Sequence, residues 1–304
     1  MRIAIIGSGA VGLYYGAKLQ KAGHDVRFLL RRDYDAITSS GLMVESITGD
    51  FHLENVKGYI SSHNMGEVDF VIVAMKTFDN SRMIELVKPL VRDGITILTI
   101  QNGLGNEELL ADSFGRDKIL GGIAMISSNR GEPGVVLHKA LGFLRIGEFS
   151  IGISDRLLNF NKVFNEAGIK CEAVNDLIKT RWEKLVWNIP FNGLSALLNM
   201  TPGGYILKPE MNKLIKEIMK EVVLAANLQD LSERIDVDTS VNFNMDTTIK
   251  YIMDCMPSMM VDRLEGRRLE LDSIYKIPLS KGINKGINME KVGMLYSLLS
   301  VGEV

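Results

Sequence analysis

A chain of 304 residues with a formal net charge of −2 excludes several broad classes of protein. The near-neutral charge argues against wholesale binding to nucleic acid or to an anionic membrane. Hydrophobic residues make up 46% and charged residues 24%, the balance of a soluble globular protein and not of a disordered or fibrous one. At about 100 to 200 residues per domain, the length predicts two domains, each able to bury its own core.

The cysteines and the apolar runs predict where the protein works. Cys171 and Cys255 lie far apart and form no CxxC pair, which argues against disulfides and cysteine zinc sites. The apolar run at 3–6 is too short for a signal peptide, and nothing approaches the roughly 18 uninterrupted apolar residues of a membrane span. We therefore expect a cytoplasmic, unprocessed protein with no membrane partner.

Short apolar runs alternate with amphipathic stretches up to about residue 125. This pattern predicts strand, helix and strand units on a parallel sheet. The predicted strands are 2–6, 26–30, 70–75, 95–100 and 119–124, and the predicted helices between them are 10–22, 79–92 and 105–114. Strand-like runs at 135–138 and 143–146 and a helix at 154–166 follow.

The pattern changes after residue 175. Long helical segments are predicted at 176–200, 208–229, 241–255 and 288–299, with almost no alternating strand pattern. We therefore predict an α/β protein with a Rossmann-type doubly wound parallel sheet followed by an all-helical domain. The predicted boundary divides the chain into a Rossmann-type domain of residues 1–175 and a helical domain of residues 176–304.

A GxGxxG motif directly follows the first predicted strand and opens the first predicted helix. It consists of Gly7, Ser8, Gly9, Ala10, Val11 and Gly12. In such a loop Gly7 permits the tight turn, Gly9 lets the backbone approach a pyrophosphate, and Gly12 lets helix and strand pack closely. The alternative is a merely tight loop, but the strand and helix context favours dinucleotide binding.

Two arginines stand where an NAD-preferring site would have an acidic residue. Arg31 and Arg32 lie about 20 residues beyond the last glycine of the motif, and a guanidinium there favours the 2′-phosphate of NADP(H). The alternatives are that both arginines are simply solvated at a strand end, or that the neighbouring Asp33 serves a ribose hydroxyl.

Two later strand ends carry polar residues on the side where open parallel sheets bind ligands. Lys76 follows one strand and can reach a cofactor ribose or phosphate, although a surface lysine explains it nearly as well. Gln101-Asn102-Gly103 follows the next, and the Asn102 amide can hydrogen-bond a nicotinamide ribose or a substrate oxygen. A simple Asn-Gly turn is the alternative for that segment.

A polar stripe crosses an otherwise apolar helix in the second half of the chain. Lys184, Asn188 and Asn192 are spaced at i, i+4 and i+8, so they share one helical face. Burying an asparagine amide without partners costs about 1 to 3 kcal/mol, so the stripe indicates groups aimed at a polar ligand. The alternative is a buried hydrogen-bond network between helices. Pro190 is expected to remove one backbone hydrogen bond and kink the helix.

Two further polar residues stand later in the chain. Ser258 is most simply the N-cap of a helix after Pro257, and Glu270 is most simply a solvated acid. Neither residue would be chosen from its spacing alone.

Taken together and in this order, the motifs identify a resemblance. The glycine motif, the Gln-Asn-Gly segment, the Lys184 stripe and the pair Ser258 and Glu270 resemble the ketopantoate reductase (2-dehydropantoate 2-reductase) family over essentially the whole chain. The resemblance implies reduction of ketopantoate to pantoate with NADPH in pantothenate and coenzyme A biosynthesis. One departure is that 270–276 reads Glu-Leu-Asp-Ser-Ile-Tyr-Lys and lacks the family's usual turn glycine.

The resemblance also implies roles for individual residues. Lys184 would be the catalytic lysine, polarising the ketone and protonating the alkoxide as hydride arrives. The implied substrate-site residues are Asn102, Asn188, Asn192, Ser258 and Glu270, and the implied cofactor-side residues, besides the glycine motif, are Arg31, Lys76, Asn102 and Glu270.

Other functions stay open at this point. They include a related dehydrogenase of another 2-keto acid, an opine or a sugar phosphate, and an NADPH-binding sensor without turnover. We expect a small 2-keto acid as substrate and no nucleic-acid partner, and we leave a homodimer open. The four histidines are scattered, so we expect no metal.

Overall fold

The computed structural model describes residues 1–302, which form two compact units. The first unit contains Met1–Gln101 and Asn106–Leu177. The second contains Asn102–Gly105 and the chain from Ile178 onward, so four residues from the first half of the chain belong with the second half.

The first unit is built on one ten-stranded sheet. Its strands are β1 (Arg2–Ile6), β2 (Asp25–Leu29), β3 (Leu42–Ser46), β4 (Phe51–Leu53), β5 (Lys57–Tyr59), β6 (Phe70–Val73), β7 (Thr96–Thr99), β8 (Ile119–Arg130), β9 (Val135–Glu148) and β10 (Cys171–Ala173). The sheet order is β4-β3-β9-β8-β7-β6-β1-β2-β5, with β10 paired to β9. From β5 to β8 all neighbours are parallel, and β9 runs antiparallel to β8.

Helices connect the strands of this unit. They are α1 (Ala10–Lys21), α2 (Tyr34–Ser40), α3 (Asn80–Val87), α4 (Asn106–Phe114) and α5 (Asp155–Glu166). The strands β6 and β7, and β1 after Arg2, are fully buried and apolar almost throughout because helices cover parallel sheets on both faces.

The parallel register sets the site on one edge of the sheet. Ile6 pairs with Val73, and Val73 pairs with Thr99, so the segments after β1, β6 and β7 leave the sheet at the same edge. Ligands bind at this carboxyl edge in open parallel sheets. The glycine motif, Lys76 and Gln101 all lie in these segments.

The second unit is helical. Its helices are α6 (Leu177–Leu198), which begins at the last residue of the first unit, α7 (Pro209–Ala226), α8 (Val237–Thr247), α9 (Ser258–Leu264), α10 (Ile277–Asn284) and α11 (Glu290–Ser300), with π-helical turns at Thr248–Ile252 and Asp272–Lys276. Leu104 and Trp182 are buried in its core. Among residues 1–302, no helix combines the length and apolar character needed to cross a membrane.

The predicted fold class is confirmed, and three details need correction. The strand-like runs at 135–138 and 143–146 form one strand, β9, which passes through Leu141 and Gly142 at positive φ and changes register with β8 there. A β-bulge of this kind interrupts the alternation that a sequence pattern relies on. The short strands β3, β4, β5 and β10 and the helices α2 and α10 were not predicted. The segment 241–255 ends its α-helix at Thr247 and continues as a π-helical turn.

Candidate active site

The glycine loop packs directly against the end of β6. Gly7 has a φ of +98°, and a Cβ there would stand 2.4 Å from the backbone nitrogen of Met75. A Cβ on Gly12 would stand 2.3 Å from the carbonyl oxygen of Gly7. Only glycine accepts both the positive φ and these approaches, so the loop, β6 and α1 are held close together.

The middle of the loop is open. Apart from Gly9 and its two chain neighbours, no described residue has an atom within 4 Å of the place where a Cβ on Gly9 would stand, and Gly9 is the N-cap of α1. The Ser8 hydroxyl is buried and hydrogen-bonds to none of the residues 1–302. Ala10 and Val11 begin α1, whose N-terminal N–H groups favour an anion. An open glycine, an orphaned buried hydroxyl and a helix N-terminus together fit a dinucleotide pyrophosphate.

The arginine that follows β2 is exposed. The Arg31 side chain is 74% exposed, and its Nη2 lies 3.6 Å from Oδ2 of Asp79. Asp33 is buried and its carboxylate is ion-paired with Arg130. Its Oδ1 hydrogen-bonds to none of the residues 1–302, but Asp33 is only 3% exposed, so a ribose hydroxyl has little access to it.

A buried polar network ties the carboxyl edge of the sheet together. The Gln101 side-chain amide donates to the carbonyl of Met75, 3.0 Å away, and to Oδ1 of Asn80, 2.8 Å away. Asn80 in turn donates to Oδ1 of Asn106 at 2.9 Å. Lys76 directly follows Met75 in the chain and is half-buried. Sequence reasoning missed Asn80 and Asn106, because asparagines at the starts of helices are indistinguishable from ordinary caps.

The catalytic candidate is held by a residue from the first half of the chain. The Lys184 ammonium on α6 donates a hydrogen bond to Oδ1 of Asn102, with 2.7 Å between nitrogen and oxygen. Both residues belong to the helical unit. The loop that carries Asn102 is held two residues further on, where the Leu104 N–H donates to the carbonyl of Ser273 at 2.9 Å.

The surroundings of Lys184 make it an unusual lysine. The pKa of Lys184 is lowered to about 7, chiefly by burial and next by the positive charge of Arg181, while the negative charge of Glu270 opposes both. Burial disfavours a charged amine, and a nearby cation adds to the effect. Lys184 therefore exchanges its proton near neutral pH, where general acid catalysis is most effective.

The two asparagines of the stripe are both buried, and one of them has a structural partner. Asn188 is 5% exposed and Asn192 is 1% exposed. The Asn192 side-chain oxygen accepts a 3.4 Å hydrogen bond from the backbone N–H of Met259, in the first turn of α9. For Asn192 the structure thus supplies a contact between helices, the alternative left open by the sequence.

Ser258 and Glu270 differ from their simplest interpretations. The N-cap of α9 is Pro257, and Ser258 is the exposed first residue of the helix without a side-chain cap hydrogen bond. Glu270 is buried, at 4% exposed, and lies just before the helical segment that contains the π-turn Asp272–Lys276. It is therefore not a solvated acid, and its charge acts on Lys184.

Pro190 lies inside α6 without ending it. Tyr275 donates from its hydroxyl to the carbonyl of Ile189, 2.9 Å away. A Cβ on Gly193 would stand 2.6 Å from that hydroxyl oxygen, so glycine leaves the room for it. These contacts fix the half of α6 that follows Lys184 against the last third of the chain.

Fold and site together define a nicotinamide-dependent oxidoreductase with a Rossmann-type unit. Residues 3–150 match the family model described as ketopantoate reductase PanE/ApbA, and residues 176–303 match the model of the C-terminal part of the same family. The chain belongs to the ketopantoate reductase family.

Similar proteins agree with this assignment over the full length. The chain is 38% identical to a 2-dehydropantoate 2-reductase of Nostoc sp., over 98% of this chain and 94% of that protein. The crystal structure of 2-dehydropantoate 2-reductase from Geobacter metallireducens GS-15 is 49% identical with a TM-score of 0.94, covering 99% of each chain. D-mandelate dehydrogenase, solved in complex with NADH, shares the fold at 20% identity and a TM-score of 0.88, covering 99% of this chain and 98% of that chain.

Proposed function

We propose that this protein reduces ketopantoate to pantoate with NADPH, and that Lys184 is the general acid. The observation that carries the proposal is the Lys184 ammonium, hydrogen-bonded to Asn102 and titrating near neutral pH in a chain that belongs to the ketopantoate reductase family. Full-length similarity to the Nostoc and Geobacter 2-dehydropantoate 2-reductases supports the choice of substrate.

The proposed chemistry uses groups that this chain supplies. Ketone reduction adds hydride to carbon and a proton to oxygen. NADPH, when bound, supplies the hydride. Lys184 donates a hydrogen bond to the ketone oxygen and then gives its proton to the developing alkoxide. Asn102 holds the ammonium in place through their 2.7 Å hydrogen bond.

The substrate carboxylate has to be compatible with the buried acid Glu270. Arg181 and the protonated Lys184 supply positive charge that opposes the charge of Glu270, which favours an anionic substrate when Lys184 is protonated. Asn188 supplies an amide on the same face of α6 for the oxygens of the substrate.

NADPH is proposed over NADH on the strength of one residue. The exposed Arg31 guanidinium follows β2, where a dinucleotide-binding sheet places the 2′ position of the adenosine ribose, and Asp33 is already paired with Arg130. The D-mandelate dehydrogenase with this fold is solved with NADH, so the fold by itself does not decide between the two dinucleotides. We also infer a cytoplasmic location, which suits the exposed free thiol of Cys255.

A spectrophotometric assay of NADPH oxidation tests the proposal. Ketopantoate, pyruvate, a branched 2-keto acid and phenylglyoxylate are compared at equal concentrations, each with NADPH and with NADH. We expect the highest kcat/KM for ketopantoate with NADPH. Preference for another keto acid would reassign the substrate, and NADPH binding without turnover of any keto acid would favour a sensor.

A further inference from the structure

The segment before Lys184 contains a second buried cation to which the sequence analysis gave no role. Arg181 is 3% exposed on α6, one helical turn before Lys184. Residues at i and i+3 of a helix are neighbours, with about 5 to 6 Å between their Cβ atoms. Two cations are thus held on neighbouring positions of one rigid helix.

Burial strengthens the repulsion between the charges of Arg181 and Lys184. A buried arginine keeps its charge over the whole working pH range, whereas a buried lysine can lose its proton. Because Arg181 is buried and Lys184 is half-buried, water screens their charges less than at the surface, and the repulsion favours the neutral form of the lysine. The guanidinium of Arg181 therefore disfavours the proton on Lys184.

We propose that Arg181 is a positioning residue that acts on the reaction through Lys184. Its positive charge makes the Lys184 ammonium a stronger proton donor than it would be beside Glu270 alone. The proposal rests on the proposed function of Lys184. Glu270 is the opposing member, because its buried carboxylate favours the charged amine. The three residues form a cluster in which one fixed cation and one acid set the proton affinity of the lysine between them.

The test measures the proton affinity of Lys184 without any substrate. The full-length protein is labelled briefly with acetic anhydride between pH 5 and pH 10, and acetylation of Lys184 is quantified by mass spectrometry, because only the neutral amine reacts. Arg181→Met should shift the midpoint of Lys184 labelling upward by about one pH unit, and Glu270→Gln should shift it downward. Arg181→Lys, which keeps a cation, should stay closer to the unaltered protein.

Arg145→Met is the matched control. Arg145 pairs with Glu172 on the surface of the first unit, so its loss removes the same charge outside the unit that contains the cluster, and the labelling midpoint should not move. Equal midpoints in the Arg181→Met, Glu270→Gln and unaltered proteins would overturn the proposal. If Arg181→Met does not fold, opposite shifts in Arg181→Gln and Glu270→Gln still decide it.

The same variants separate this proposal from the proposed function. The pH at which kcat/KM for ketopantoate declines on the alkaline side should shift together with the labelling midpoint. Shifted labelling with no ketopantoate turnover by the unaltered protein would refute the proposed substrate and leave the role of Arg181 standing. Unshifted labelling with normal turnover would refute the role of Arg181 alone.

Discussion

The backbone of Gly103 lies against the backbone of Ser273, so close that a Cβ on Gly103 would stand 2.3 Å from the Ser273 carbonyl oxygen. Gly103 also has a φ of +78°. This contact fixes the loop that carries Asn102 onto the π-helical turn that follows Glu270. The hydrogen-bond acceptor of Lys184 and its acidic neighbour are therefore mechanically linked.

Gly103→Ala should destabilise the helical unit and lower turnover together. Positive φ costs a non-glycine residue about 1 to 3 kcal/mol, and the clash with Ser273 adds to this. Thermal unfolding and kcat check the expectation. Gly286→Ala is the matched control, because Gly286 has a φ of +86° and, apart from Gly286 and its chain neighbours, no described residue has an atom within 4 Å of its Cβ position. Equal losses in both variants would show that only backbone strain matters.

Replacing Asn102 tests the hydrogen bond to Lys184. Asn102→Ala removes the acceptor and should lower kcat by about 10- to 100-fold, the usual worth of a hydrogen bond to a charged group. Asn102→Asp places a negative charge next to the ammonium, so it should raise the pKa of Lys184 and move the alkaline limb of kcat/KM to higher pH. Identical pH profiles for Asn102→Asp and the unaltered enzyme would argue against contact in the working enzyme.

Lys184→Ala should leave NADPH binding nearly intact and lower the rate of hydride transfer by about 10² to 10⁴. The loss follows from removing the proton donor while the glycine loop, which belongs to the other unit, is unchanged. Single-turnover NADPH oxidation, NADPH affinity and melting temperature are measured on the same variant. A well-folded variant with near-normal hydride transfer would eliminate Lys184 as the general acid.

The pH dependence of reduction should follow the ionisation of Lys184. Burial and Arg181 lower the pKa of this lysine to about 7, and a general acid works only when protonated, so kcat/KM should be highest below pH 7 and fall about tenfold per pH unit above it. Lys184→Arg provides the comparison, because a guanidinium stays charged throughout and its low residual rate should show no such limb. If kcat/KM of Lys184→Arg declined with the same midpoint, the decline would have to come from the ionisation of another group.

Arg31→Ala should narrow the preference for NADPH over NADH by about 10- to 100-fold, mainly through the KM of NADPH, because the lost contact is to a remote phosphate. Arg32→Ala is the control, since it removes the same charge from the next residue. Steady-state kinetics with both dinucleotides measure the ratio. Similar changes in the two variants would indicate a general charge effect with no specific role for Arg31.

The sequence predicted the elements that depend on local pattern. The parallel strands, the glycine loop and the position of Lys184 on a long helix all follow from periodicity and from residues that neighbour one another in the chain. The antiparallel extension of the sheet was harder, because β9 bends through Leu141 and Gly142 and so breaks into two shorter patterns.

Contacts between distant parts of the chain were beyond the sequence. The bond between Asn102 and Lys184 joins residues 82 positions apart, and the burial of Glu270 depends on how the last third of the chain packs. Nothing in the sequence indicated a role for Arg181, because an arginine near a lysine on a helix is ordinarily solvated. Only its burial in the structure distinguishes Arg181 from such a residue.

The placement of Leu104 limits how this protein can be divided. Leu104 is 2% exposed in the core of the helical unit, although it is encoded more than 70 residues before that unit resumes at Ile178. A fragment that begins at residue 176 would lack this core leucine as well as Asn102. Recombination that exchanges the helical units of two relatives would therefore have to transfer the four residues Asn102–Gly105 as well. The helical unit is thus encoded by two separate stretches of the gene.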